Sequence, residues 1–169
     1  MTAEITAVHM VQAVDTFTPP AARSRTRTLN VLLVEDNDID VMNIRRAFKR
    51  AGLSHRLEVV EDAERALNVL ANQDPEIRLP EERRLVLLDL NLPRVSGLDF
   101  LRELRSQDHL RTTAVVVLTS SDIEEDKAEA YRRNVAGYLI KPVGQEAFAE
   151  LVSALDAYWS TSEFPPPMA

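Results

Sequence analysis

LVLLDLNLP, residues 85–93, sets four apolar side chains, Leu85–Leu88, in front of a single carboxylate, Asp89. A short unbroken apolar run bounded by turn signals is the pattern of a strand buried on both faces. Pro93 and Gly97 supply the turn signals. In an open parallel sheet, ligands bind in the crevice beyond the carboxyl ends of the strands, so Asp89 stands where chemistry is expected. An Asp in that place also serves as a turn former or helix cap. What the other strand ends carry decides between the two readings.

Upstream, Leu29–Val34 (LNVLLV) is a second buried-strand pattern and runs into Glu35-Asp36-Asn37-Asp38. Ile39, Val41, Met42, Ile44, Ala47 and Phe48 follow at roughly helical spacing, closed by Gly52. His55–Val60 predicts a third strand and Asp62–Ala71 a second helix, with a polar loop carrying Pro75 and Pro80 before residue 85. Downstream of Asp89 the pattern continues with a helix over 96–106 and a strand over 113–118 that ends at Thr119-Ser120-Ser121. A charged helix over 122–133 follows, then a strand Gly137–Ile140 ending at Lys141-Pro142, and a helix over 145–159. Strands alternating with helices give right-handed crossovers and a parallel sheet.

The chain has 169 residues, a net charge of −7 and no cysteine. That length suits one domain with tails. The acidic balance argues against non-specific nucleic-acid binding, which needs Lys and Arg to neutralise phosphates. Without cysteine there are no disulfides, thiolate metal sites or Cys nucleophiles. No apolar run approaches the ~20 residues of a membrane span, and no secretory signal pattern opens the chain; a cytoplasmic location and no membrane partner are the expectation. Residues 1–28, with Pro19-Pro20 and Arg23, Arg25 and Arg27, read as a flexible arm, residues 29–159 as the folded domain, and residues 160–169 as a tail.

Four strand ends now carry polar groups: Glu35-Asp36, Asp89, Thr119 and Lys141. Clustered carboxylates repel unless a cation sits among them. An all-oxygen ligand set suits Mg²⁺. A hard cation beside a carboxylate, a hydroxyl and a lysine is a set for phosphoryl transfer. The carboxylate is the nucleophile, the metal and ammonium neutralise phosphoryl oxygens, and the hydroxyl hydrogen-bonds one of them.

The motifs VLLVEDN (31–37), LLDLNLP (87–93), VVVLTSS (115–121) and YLIKPV (138–143) resemble the receiver domain of two-component response regulators. The resemblance covers residues 29–159. It implies an α/β flavodoxin-like fold, a five-stranded parallel doubly wound sheet of strand order 2-1-3-4-5 with helices on both faces. It also implies that Asp89 is the phosphoacceptor, that Asp36 binds Mg²⁺ directly and Glu35 through water, and that the backbone carbonyl of Asn91 completes the metal shell. By the same resemblance Lys141 pairs with the phosphoryl group, Thr119 is the conformation-sensing hydroxyl, Tyr138 is the switch aromatic, and the Lys141–Pro142 bond is cis.

The expected function is that of a stand-alone regulator, not an enzyme beyond its own phosphorylation and autodephosphorylation. It would take a phosphoryl group from a sensor histidine kinase or phosphotransfer protein and signal through changed protein contacts. The long loop before residue 85 and the aromatic C-terminal region resemble regulators that serve phytochrome histidine kinases. That likeness implies a homodimer through the fourth helix, fifth strand and fifth helix, where Tyr158 and Trp159 could serve as apolar anchors; the alternative is that Trp159 and Phe164 fold back on their own subunit. Two other readings stand beside it. A pseudo-receiver that only binds is opposed by the complete acidic set. An aspartyl-phosphate phosphatase acting on small molecules usually has a carboxylate two residues past the nucleophile, where this chain has Asn91.

Overall fold

The computed structural model describes residues 28–165; the expected arm lies outside them except for Thr28. Strands β1 (Asn30–Val34), β2 (Arg56–Val60), β3 (Arg84–Leu88), β4 (Ala114–Thr119) and β5 (Gly137–Ile140) alternate with helices α1 (Asp38–Arg50), α2 (Ala63–Leu70), α3 (Gly97–Ser106), α4 (Glu124–Arg132) and α5 (Gln145–Thr161). The strands are parallel in the order β2-β1-β3-β4-β5, as the sequence leads one to expect. Helix starts differ from expectation because Asp62 and Ser96 are caps: their side chains accept from the N–H of Arg65 and Asp99. α5 runs two residues beyond Trp159.

Side chains of a strand alternate between the two faces, and the buried runs divide accordingly. Leu32, Val34, Val86, Leu88, Val115 and Val117 face one core with α2 and α3, led by Phe100, Leu101 and Leu104. Val31, Leu33, Leu85, Leu87, Val116 and Leu118 face the other with α1 and α5, led by Ile44, Phe48, Phe148, Val152 and Trp159. Such runs look continuous in sequence because both faces are covered. α4 is anchored least: Ala130 is its one buried residue.

Helix C-termini leave carbonyls without intrahelical partners, and cations suit them. Here arginines from the opposite end of the sheet to Asp89 fill that need. Arg84, buried at the start of β3, donates to the carbonyls of Leu70, Leu79 and Pro80. Burial pushes its pKa down, against the opposing pull of Glu81 and Glu82. Arg105 of α3 donates to Arg133 and Asn134 at the end of α4 and to Arg111 and Thr113 before β4. Arg83 donates to the carbonyls of Trp159 and Ser162 at the end of α5. His55 ties α5 to β1 as well, its Nδ1 accepting from the Leu29 N–H while Nε2 meets Asp156 at 2.8 Å.

Trp159 is only 6 % exposed. Phe164 lies 4.9 Å from its ring, and the Arg83 guanidinium sits 4.9 Å over Phe164. Trp159 therefore belongs to its own subunit's core and is not the interface anchor expected of it. Tyr158 is exposed.

Candidate functional site

The sheet ladder continues one residue past three strand ends and fixes what comes next. The N–H of Glu35 donates to Val60 O, that of Asp89 to Val34 O, and that of Lys141 to Thr119 O, at 2.8–3.0 Å. Glu35, Asp89 and Lys141 are thereby held at one edge, where the chain leaving the paired strands β1 and β3 turns to opposite faces of the sheet, into α1 and α3. That is the topological switch point at which open α/β sheets bind ligands.

Asp89 is 4 % exposed. Its Oδ1 accepts from the Asn91 N–H at 3.1 Å and its Oδ2 from Lys141 Nζ at 2.8 Å. Lys141 Nζ also meets Asp40 Oδ2 at 2.8 Å and Glu35 Oε2 at 2.7 Å. Three carboxylates hold the Lys141 ammonium well above its usual range, although burial alone would lower it. Burial moves Glu35 the other way, raising its carboxyl above the usual value against the opposing pull of Lys141. Gly97 explains how α3 packs so close: a Cβ there would come within 2.5 Å of the Asp89 carbonyl oxygen.

Among the described residues, Glu35, Asp36 and Asp89 form a group whose carboxylate oxygens lie within 4.8 Å of one another. Glu35 Oε2 is buried, and its contact is the Lys141 ammonium at 2.7 Å. Three carboxylates gathered this closely, with no nitrogen or sulfur donor in the group, are a set that fits a hard divalent cation.

Thr119 is fully buried. Its Oγ1 accepts from the Ser121 N–H at 3.3 Å and lies 3.4 Å from Asn91 Nδ2. Tyr138 is half-buried against the core that holds α3 and donates from its hydroxyl to Ser121 O at 3.0 Å. It stands apart from the acidic group. Ser121 completes this corner by donating from Oγ to Asp126 in α4. The Lys141–Pro142 bond is trans, against the expected cis form. An X–Pro bond prefers trans by roughly 0.5–1 kcal/mol, and Val143, 98 % exposed, brings no packing to reverse that preference.

Sequence reasoning missed two participants, Asp40 and Ser121. Asp40 lies in the first turn of α1, just past the end of β1, and its meeting with Lys141 depends on how that helix is rotated against the sheet.

The response regulator receiver domain family matches residues 31–153, and the chain belongs to it. Its relatives include the probable methanogenesis regulatory protein FilR2 of Methanothrix harundinacea, 42 % identical over 76 % of this chain and 82 % of that protein. Response regulator Rcp1 of Synechocystis sp. is 32 % identical over 76 % of this chain and 87 % of its own. The crystal structure of its Mn(2+)-bound form superposes with a TM-score of 0.69, covering 80 % of this chain and 98 % of that one. The phosphorylated cyanobacterial phytochrome response regulator RcpA gives 0.73 at 30 % identity, over 82 % and 99 %.

Proposed function

We propose that the protein accepts a phosphoryl group on Asp89 from the phosphohistidine of a sensor histidine kinase, in a Mg²⁺-dependent transfer. The observation that carries this reading is the contact of Asp89 Oδ2 with Lys141 Nζ at 2.8 Å inside a group of three carboxylates. Mg²⁺ would be held by Asp36, Asp89 and the backbone carbonyl of Asn91, with Glu35 acting through water, and supplies neutralisation of phosphoryl oxygens. An Asp89 oxygen attacks the phosphorus, the P–N bond of the phosphohistidine breaks with the pair going to the departing imidazole, and Lys141 exchanges its bond to Asp89 Oδ2 for one to a phosphoryl oxygen. The new group adds roughly −1.5 to −2 charges. Thr119 turns its hydroxyl toward them and gives up the Ser121 N–H.

Likeness to RcpA supports a phytochrome-type kinase as the donor and a cytoplasmic setting. Residues 29–159 form the signalling unit. Its output is a changed contact surface on α4, β5 and α5, which a second copy occupies in a two-fold dimer. Tyr131 and Ile140 are exposed there. The basic side chains of α4 and its C-cap are already paired within the subunit, Lys127 with Asp122 and Glu124, and Arg132 and Arg133 with Glu129. Apolar contact at Tyr131 and Ile140 therefore drives the association.

Incubation with phosphoramidate and Mg²⁺ tests the central claim. One phosphoryl group is expected on the wild type and none on Asp89→Asn; equal labelling of the two rejects Asp89 as the acceptor.

A further inference from the structure

Asp40 is the third residue of α1 and is partly exposed. Its Oδ2 accepts from Lys141 Nζ at 2.8 Å, the same distance at which Asp89 Oδ2 does. The Lys141 ammonium thus bonds Asp40 as closely as it bonds Asp89, with Glu35 the third carboxylate on it at 2.7 Å. Any carboxylate in a first helical turn is favoured by the helix dipole, and Asp38 already supplies one. The dipole therefore does not account for the bond from Asp40 to Lys141. Asp40 also lies outside the group of carboxylates that fits a cation. Its charge is directed at the ammonium that an incoming phosphoryl group must share.

We propose that Asp40 is a positioning residue that holds Lys141 over Asp89 and disfavours small acyl phosphates relative to N-phosphoryl donors, the class that includes phosphohistidine. This rests on the phosphoacceptor reading above. In either transfer a bond forms between an Asp89 oxygen and phosphorus. From an acyl phosphate the P–O bond breaks, and a carboxylate leaves with the bonding pair. From an N-phosphoryl donor the P–N bond breaks, and the already protonated leaving group departs as a neutral amine or imidazole. The second donor brings a positive charge that the first lacks. The Asp40 carboxylate at the site opposes a dianion more than it opposes a donor carrying that compensating charge.

The test compares initial rates of Asp89 phosphorylation by acetyl phosphate and by phosphoramidate at saturating Mg²⁺, using the full chain. Asp40→Asn raises the acetyl phosphate rate roughly threefold to tenfold and the phosphoramidate rate less, and the effect shrinks in about 1 M salt. Asp40→Ala shifts the ratio of the two rates in the same direction. Asp40→Glu, which keeps the charge, keeps the wild-type ratio. A purely structural role changes both rates alike. A ratio within about twofold of wild type in both neutral variants overturns the inference, as does a ratio in Asp40→Glu that moves as far as in Asp40→Asn. If the wild type takes no phosphoryl group from either donor, or label survives in Asp89→Asn, the phosphoacceptor reading falls instead.

Discussion

The Tyr138 hydroxyl donates to the carbonyl of Ser121, the residue whose own N–H donates to Thr119. Tyr138 and Thr119 therefore meet on one peptide segment, so that a movement of Thr119 would change what holds Tyr138. Tyr138→Phe keeps the ring and removes the donor. It is expected to cost about 1 kcal/mol of stability and to uncouple α4 from the site. NMR shifts of α4 amides on adding beryllofluoride check this: they shrink in the variant, and an undiminished response removes the hydroxyl from the coupling.

Lys141 offsets three carboxylates. Removing one partner of a buried ion pair leaves charge uncompensated, at a cost of about 3–5 kcal/mol. Lys141→Ala is expected to lower stability by that order in metal-free buffer and to regain part of it with Mg²⁺, as measured by urea denaturation. Asp36→Ala should lose the Mg²⁺-dependent rise in Tm that the wild type gains by mass action.

Trp159 supports the fold from inside. Trp159→Ala should destabilise the protein by about 3–5 kcal/mol through lost burial and the cavity left behind, whatever the oligomeric state. Thermal melts at two protein concentrations separate the effects: a loss that disappears on dilution would place Trp159 at an interface after all.

Asp74, in the loop before β3, has its carboxyl held below the usual range chiefly by the N–H of Ile77, then by that of Glu76 and by Arg65. A carboxylate with a depressed folded-state pKa contributes stability above its unfolded value of about 3.9 and loses it as pH falls through the lower folded value. Below about pH 4 the wild type should therefore lose stability with falling pH more steeply than Asp74→Asn. Parallel slopes in acid unfolding curves of the two would refute the assignment.

Glu35, Asp89, Thr119 and Lys141 were legible in the sequence because a doubly buried parallel strand reads as an apolar run, and its end marks where the site begins. Asp40 was not, since the face a helical residue presents depends on how α1 is rotated against the sheet. The arginines at the base left no trace for a different reason. Arg83, Arg84 and Arg105 bond backbone carbonyls, which every residue has. Trp159 near a helix end suits a core or an interface equally well, and Phe164 and Arg83, contributed by separate segments, decide it. The isomer of Lys141–Pro142 depends on loop packing, which the sequence does not display.

Arg105 grips α4 at its last carbonyls, and Ala130, the helix's one buried residue, sits near that same end. The opposite end hangs from the site through Ser121 and Asp126. α4 is thus built as a lever with its fulcrum at the base of the sheet. If Thr119 moves as proposed, the first turn of α4 is expected to travel further than the turn beside Arg105. On the proposed function, a partner that reads the state of Asp89 would gain most by grasping the helix at Glu124–Lys127 and least by grasping it at Arg132.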